Sequence, residues 1–297
     1  MGLHRLTTIT VGVPDVATTA GFYRDFGLTE TAPGVFATSD GGEQLRLVKS
    51  SRRRLIELGL GVDDADDVAR IAAGITAFGA QRETATGDEV VAFEPVTGTR
   101  VAVAVAARID PATFDAPAPR VNTRAAALSR STPVAPRKLG HVVLGSPDQH
   151  ATERFFRDAI GFKVSDTIPG IAAFLRCSTD HHNLLVQAAP VTYLHHTSWQ
   201  LDDVDDIGRG AKATLEADPA RHVWGPGRHH IGSNFFWYLR DPAGNFAEYY
   251  ADLDVIVDDE VWQPGEFLDE RALYAWGPPP PPSFINPDDL ADLMVRA

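Results

Sequence analysis

The chain has almost no cysteine: one, Cys177, in 297 residues. That excludes an internal disulfide and any Cys₄ or Cys₂His₂ zinc site, fits a reducing cytoplasm, and leaves metal binding to His, Asp and Glu. Positive charge is also in deficit. With 27 Lys and Arg against 40 Asp and Glu, the formal charge is −13. No cationic tail offsets it, so nucleic acid and anionic membrane surfaces are excluded as expected partners. Apolar runs fall far short of the roughly 18–20 residues that span a bilayer. Residues 1–14 have neither the basic start nor the apolar core of a signal peptide. The expectation is a cytoplasmic protein, 44% hydrophobic and long enough for about two domains.

What the chain does have is an internal repeat. Val13-Pro14-Asp15 followed by Phe22-Tyr23-Arg24-Asp25 reappears as Ser146-Pro147-Asp148 followed by Phe155-Phe156-Arg157-Asp158. Val62-Asp63-Asp64-Ala65-Asp66-Asp67-Val68 matches Leu201-Asp202-Asp203-Val204-Asp205-Asp206-Ile207, and Glu94-Pro95-Val96-Thr97-Gly98 matches Asp241-Pro242-Ala243-Gly244. Three matches in one order predict two similarly folded halves. The Ala-, Pro-, Ser- and Arg-rich stretch between them reads as a linker.

Each half reads as a strand, a helix and several strands. In the second, a short apolar strand over 139–144 leads to a helix containing 151–160, capped by Ser146 or Asp148 and stopped by Gly161. Strand-like runs follow at 171–177, 183–187, 195–201, 234–239 and 246–250, with an acid-rich helix over 204–217.

Histidine is distributed unevenly: His4 alone lies in the first half and nine lie between His141 and His230. His150 and His222 fall in polar helix or loop sequence and read as solvated. His141 opens the first strand, His196 begins the strand before the acidic helix, and Glu248 faces inward in the last strand. A carboxylate on an apolar strand face requires a partner or a cation. Two imidazoles and one carboxylate form the facial triad of a non-heme Fe(II) oxygenase with open coordination positions. A five-residue connection over 241–245 would place Arg240 opposite Phe246 and Tyr238 opposite Glu248, on one side of the sheet. Asp-Pro-x-Gly-Asn carries the turn residues for it.

Gly227-Arg228-His229, Trp237-Tyr238-Leu239-Arg240-Asp241-Pro242-Ala243-Gly244-Asn245 and Phe246-Ala247-Glu248, in this order and spacing, resemble the signature of the type I extradiol ring-cleavage dioxygenases of the vicinal oxygen chelate superfamily. The likeness extends to Leu139-Gly140-His141-Val142-Val143 and Leu194-His195-His196-Thr197-Ser198-Trp199. It implies an α+β fold of two tandem domains, each of paired βαβββ modules forming a vicinal oxygen chelate barrel, with a C-terminal tail. Residues 1–110 would be a degenerate, structural domain, with Thr8, Glu57 and Val101 or Ala102 where the triad would fall. Residues 111–137 would be the linker, 138–253 the catalytic metal-binding domain and 254–297 a tail able to close over the site.

The implied activity is cleavage of a catechol's ring by O₂ outside the diol. Fe(II), or Mn(II) in its place, would be held by His141, His196 and Glu248. His182 would take and return the diol's second proton. His181 is the adjacent alternative, since strand alternation lets only one of the two point inward. Tyr238 would hydrogen-bond the substrate oxygen with His229 behind it, and Val143 and Phe174 would wall the ring. By the same alternation His195 should point away from the metal. Trp199, Trp224 and Trp237 read as core or domain-interface residues. The resemblance also implies a homo-oligomer. The alternatives are a glyoxalase-like metal-dependent isomerase or lyase, and a non-enzymatic ligand-sequestering protein of the same fold.

Overall fold

A computed structural model describes residues 2–83, 85–109, 120–268 and 272–295. The first half runs β1 (Leu3–Val13), α1 (Val16–Asp25), β2 (Thr29–Ala32), β3 (Val35–Thr38), β4 (Gly42–Lys49), β5 (Arg54–Val62), α2 (Ala65–Phe78), β6 (Glu89–Phe93) and β7 (Arg100–Val105). The second runs β8 (Leu139–Ser146), α3 (Gln149–Arg154), a π-helical continuation (Phe155–Ile160), β9 (Lys163–Ile168), β10 (Ala172–Arg176), β11 (Leu184–Ala188), β12 (Tyr193–Gln200), α4 (Val204–Ala217), β13 (His222–Arg228), β14 (Phe235–Arg240) and β15 (Phe246–Ala251). The tail adds β16 (Gly265–Glu266), α5 (Pro282–Ile285) and α6 (Leu290–Val295). The expected start of the linker, with Ala116-Pro117-Ala118-Pro119, lies outside the described residues. No described helix is long and apolar enough to cross a membrane.

The repeat is visible in the pairing. The first sheet has the order β2-β3-β4-β1-β5-β7-β6 and the second β13-β14-β15-β12-β8-β11-β10-β9-β16. In both, the opening strand pairs parallel with the last strand of its own module and antiparallel with the first strand of the next (β1 with β4 and β5; β8 with β11 and β12). The second module closes the same way, β5 on β7 and β12 on β15 in parallel. Each repeated motif proves to be a cap or a turn. Asp15, Asp64, Asp148 and Asp203 each accept a backbone N–H at a helix start, which satisfies a donor that has no partner within the helix. Asp241 accepts from the backbone of Ala243 and Asn245 and Glu94 from that of Val96 and Thr97. The expected helix over 204–217 is observed over that span, and Gly161 ends the earlier one in left-handed geometry (φ 99°). Strands β9 and β13 add to the expected set. His222 begins β13 rather than lying in a loop, although its side chain is exposed as expected.

One apolar core runs through both halves. Phe26 stacks on Tyr249 at 3.9 Å, and the Tyr249 hydroxyl donates to the Phe26 carbonyl. Arg53, just before β5, crosses the boundary fully buried. Its guanidinium donates to the Leu194 carbonyl on β12 and forms a two-point pair with Asp289 beside α6 at 2.7 and 2.8 Å. Removing Asp289 would leave a charge whose side chain is 1% exposed with a single acceptor. Asp289→Ala is therefore expected to destabilise by roughly 2–3 kcal/mol. This lies below the roughly 3–5 kcal/mol of a fully buried pair, because water already reaches Asp289. Urea denaturation checks it, and a loss below roughly 1 kcal/mol, the scale of a surface pair, would show that the tail is anchored elsewhere.

Candidate functional site

β15, β12 and β8 are neighbours in the second sheet, and their register builds the triad. Ser198 pairs with Glu248 on one side and His141 on the other. His196, two residues back on the middle strand, shares their face. All three are buried, and their candidate ligand atoms lie within 4.8 Å of one another. Glu248 Oε2 is 3.1 Å from His141 Nε2 and 3.6 Å from His196 Nε2. Asn234 Nδ2 donates to the other carboxylate oxygen at 3.1 Å. Glu248 Oε2 and His196 Nε2 have no hydrogen-bond partner. A buried carboxylate oxygen and imidazole nitrogen converging without a hydrogen between them fit a divalent cation. Burial works against the Glu248 charge, but the neighbouring imidazoles of His141 and His229 outweigh it and hold the carboxyl well below its usual range.

His195 departs from expectation. Leu194 pairs with Leu144 and His196 with Val143, so His195 is the extra residue of a β-bulge. The bulge breaks the alternation that would have turned it away. Its ring is buried, with Nδ1 2.7 Å from His196 Nδ1, and its Nε2–H donates to the Phe284 carbonyl on α5 at 2.7 Å. Burial pushes His195 down to about 4, so the ring is neutral near pH 7. A carbonyl only accepts, so the hydrogen sits on Nε2 of His195 and the lone pair on Nδ1. His196 then donates from Nδ1 and presents a lone pair at Nε2, towards the triad.

Of His181 and His182, only His182 lines the cavity of the site. They lie in the turn before β11, where alternation does not apply, and both are buried with their Nδ1 atoms 3.0 Å apart. The His182 ring packs 4.2 Å from that of His141 and edge-on to Phe174 at 5.2 Å. Burial, reinforced by His141 and His181, holds His182 well below the usual imidazole range.

The five-residue connection forms as expected, with Tyr238 opposite Glu248 and Arg240 opposite Phe246. His229 Nδ1–H donates to the Leu273 carbonyl at 2.5 Å, which leaves Nε2 to accept the Tyr238 hydroxyl at 2.9 Å. Trp224 stacks parallel to Tyr238 at 5.6 Å. It therefore serves as a wall of the site rather than only as core. Trp199 packs on Tyr23 of the first half, at the expected interface. Glu57, the one ligand-type residue at the matching positions of the first half, is ion-paired with Arg100.

His141, His196, His182, His229, Tyr238 and Trp224 line a cavity with about 880 Å³ of empty space, part of it open to solvent. Val143 and Phe174 line it as expected, together with Ile168, Leu185, Ile231, Leu273 and Phe284. Residues from β9 and β10 and from β13 and β14, far apart in strand order, meet around one cavity, so the sheet curls round the site. Three residues that line the cavity carry no signal in their own sequence neighbourhoods: Trp224, Leu273 and Phe284. The last two come from the tail.

The model of the Glyoxalase/Bleomycin resistance protein/Dioxygenase superfamily matches residues 138–249. The chain is 33% identical over 297 residues to Metapyrocatechase 2 of Cupriavidus necator, covering 96% of this chain and 92% of that protein. It is 31% identical over 157 residues to the manganese-dependent 2,3-dihydroxybiphenyl 1,2-dioxygenase of Geobacillus genomosp. 3, about half of each. The Mn(II)-bound glyoxalase from Novosphingobium aromaticivorans superposes with a TM-score of 0.76 at 27% identity, covering 94% of this chain and 93% of that one. Near-full-length likeness to a metapyrocatechase, on a fold with this triad, shows that the chain belongs to the extradiol dioxygenases of the vicinal oxygen chelate superfamily.

Proposed function

We propose that this protein cleaves the ring of a catechol with O₂, using His141, His196 and Glu248 to hold Fe(II), or Mn(II) in its place. The observation that carries this reading is the buried triad, two of whose members, His141 and His196, line one cavity with His182, Tyr238 and His229. A divalent ion held by these three residues would lower the pKa of a chelated diol and would offer an open coordination position to O₂. A divalent ion, the Glu248 carboxylate and a catechol monoanion cancel in charge, as a buried centre requires. His182, neutral near pH 7, takes the proton of the second hydroxyl and later returns it. Tyr238 and His229 face the oxygen that gains negative charge; the phenol turns its hydrogen from His229 towards that oxygen as charge develops. The apolar side chains around Phe174, Leu185 and Ile231 exclude water and accept an uncharged, apolar ring substituent. We read the protein as a cytoplasmic homo-oligomer that binds neither nucleic acid nor membrane, in keeping with its acidic composition.

The 27% identical Mn(II)-bound glyoxalase makes isomerase chemistry the second reading. Tyr238 with its His229 partner, and His182 opposite, favour ring cleavage, because an isomerase has no O₂-derived intermediate for them to serve. The test is anaerobic reconstitution with Fe(II) or Mn(II), followed by alkyl- or aryl-catechols and air. The expected result is O₂ uptake with a yellow ring-fission product. Absence of both with every catechol would overturn the proposal.

A further inference from the structure

Asp166, on β9, is buried and engaged at both oxygens. Oδ1 accepts the Gly265 N–H at 2.6 Å, and Oδ2 accepts His181 Nε2–H at 2.8 Å. His181 is fully buried, edge-on to Trp262 at 5.4 Å, whose indole N–H donates to the Ser165 carbonyl. Its remaining nitrogen, Nδ1, lies 3.0 Å from His182 Nδ1. An ionised carboxylate only accepts hydrogens, so His181 donates from Nε2, and with one hydrogen on its ring it presents a lone pair at Nδ1. His182 must then donate from Nδ1.

We infer that Asp166 is a positioning residue: through His181 it fixes the tautomer of His182, placing the hydrogen on Nδ1 and the lone pair on Nε2, the nitrogen left for the cavity. This rests on the reading of His182 as the acid/base group and supplies the reason it starts each cycle as a base. When the substrate O–H bond breaks and an N–H bond forms at Nε2, the positive charge on His182 is shared across the Nδ1 contact to His181, with the Asp166 carboxylate as its counter-charge. Two tail contacts hold the relay. Gly265 orients the carboxylate from β16, which pairs with β9 at Asp166, and Trp262 packs the His181 ring.

The geometry makes Asp166→Asn a directional test. Gly265 N–H needs an acceptor, so the amide oxygen stays there and the NH₂ faces His181 Nε2. That forces the hydrogen of His181 to Nδ1, and the hydrogen of His182 to Nε2, where the base must be free. In the reconstituted enzyme, kcat is expected to fall about 10²–10⁴-fold, the contribution of a positioned acid/base group, with metal content and KM near native. ¹⁵N-histidine NMR of the metal-free full chain reads the tautomer directly, with His182 as Nδ1–H in the native protein and Nε2–H in the variant. A native His182 that is Nε2–H or doubly protonated near neutral pH would overturn the inference. So would a folded variant whose kcat stays within roughly threefold of native. If Asp166→Asn fails to fold, the native spectrum alone decides. If the native chain turns over no catechol, the functional reading fails while the tautomer result still stands or falls by itself.

Discussion

Glu248→Gln abolishes turnover and metal retention together. The carboxylate is fully buried, and its Oε2 faces His141 and His196 with no hydrogen to accept. An amide there presents either a neutral oxygen or an NH₂ that repels the cation, and two imidazoles remain as the only ligands. Outer contacts to metal ligands are worth about 10–100-fold in affinity or activity, and loss of a ligand exceeds that range. Metal analysis after dialysis and O₂ uptake under saturating catechol measure both. The metal-free protein is expected to lose stability as well. The imidazoles of His141 and His229 hold the Glu248 carboxyl well below its usual range, so the fold favours its ionised form, and the melting temperature of metal-free Glu248→Gln is expected to fall below that of the metal-free native chain near pH 7. A variant that keeps its metal and its activity would refute the triad.

His182→Phe separates binding from chemistry. Phenylalanine is close to histidine in shape, and the site already packs His182 against Phe174 and His141, so the variant is expected to keep its metal and its KM. It cannot take a proton, and kcat is expected to fall about 10²–10⁴-fold. His181 also loses the partner of its Nδ1, which lowers stability by about 1–2 kcal/mol. Stopped-flow kinetics with metal content measured on the same sample checks this. An unchanged rate would remove His182 from the mechanism and pass its role to Tyr238 with His229.

These two variants probe the part of the site that local sequence makes legible. The Asp-Pro-x-Gly-Asn turn sets the register that brings Tyr238 opposite Glu248, and the repeated acidic motifs cap helices in both halves. Such features are decided by side chains reaching a few residues along the chain, so a repeat in sequence becomes a repeat in fold. The same reasoning fails at His195 and has no bearing on His181. Strand alternation presumes a regular ladder, whereas one of these residues occupies a bulge and the other a turn. The groups that orient them lie 89 residues away at Phe284 and 15 away at Asp166. Contacts of that range have no periodicity to reveal them. The tail was expected as a cover over the site; in the structure its Leu273 and Phe284 carbonyls accept from His229 and His195, the rings behind Tyr238 and His196.

Leu273 and Phe284 follow β15 in the chain, and so leave the ribosome after it. The strands that carry His141, His196 and Glu248 are therefore complete in the chain before the residues that wall them in. Enclosure is thus separable from the triad: the segment 273–289, which ends where Arg53 pairs with Asp289, could be cut away without touching one of the three ligand-type residues.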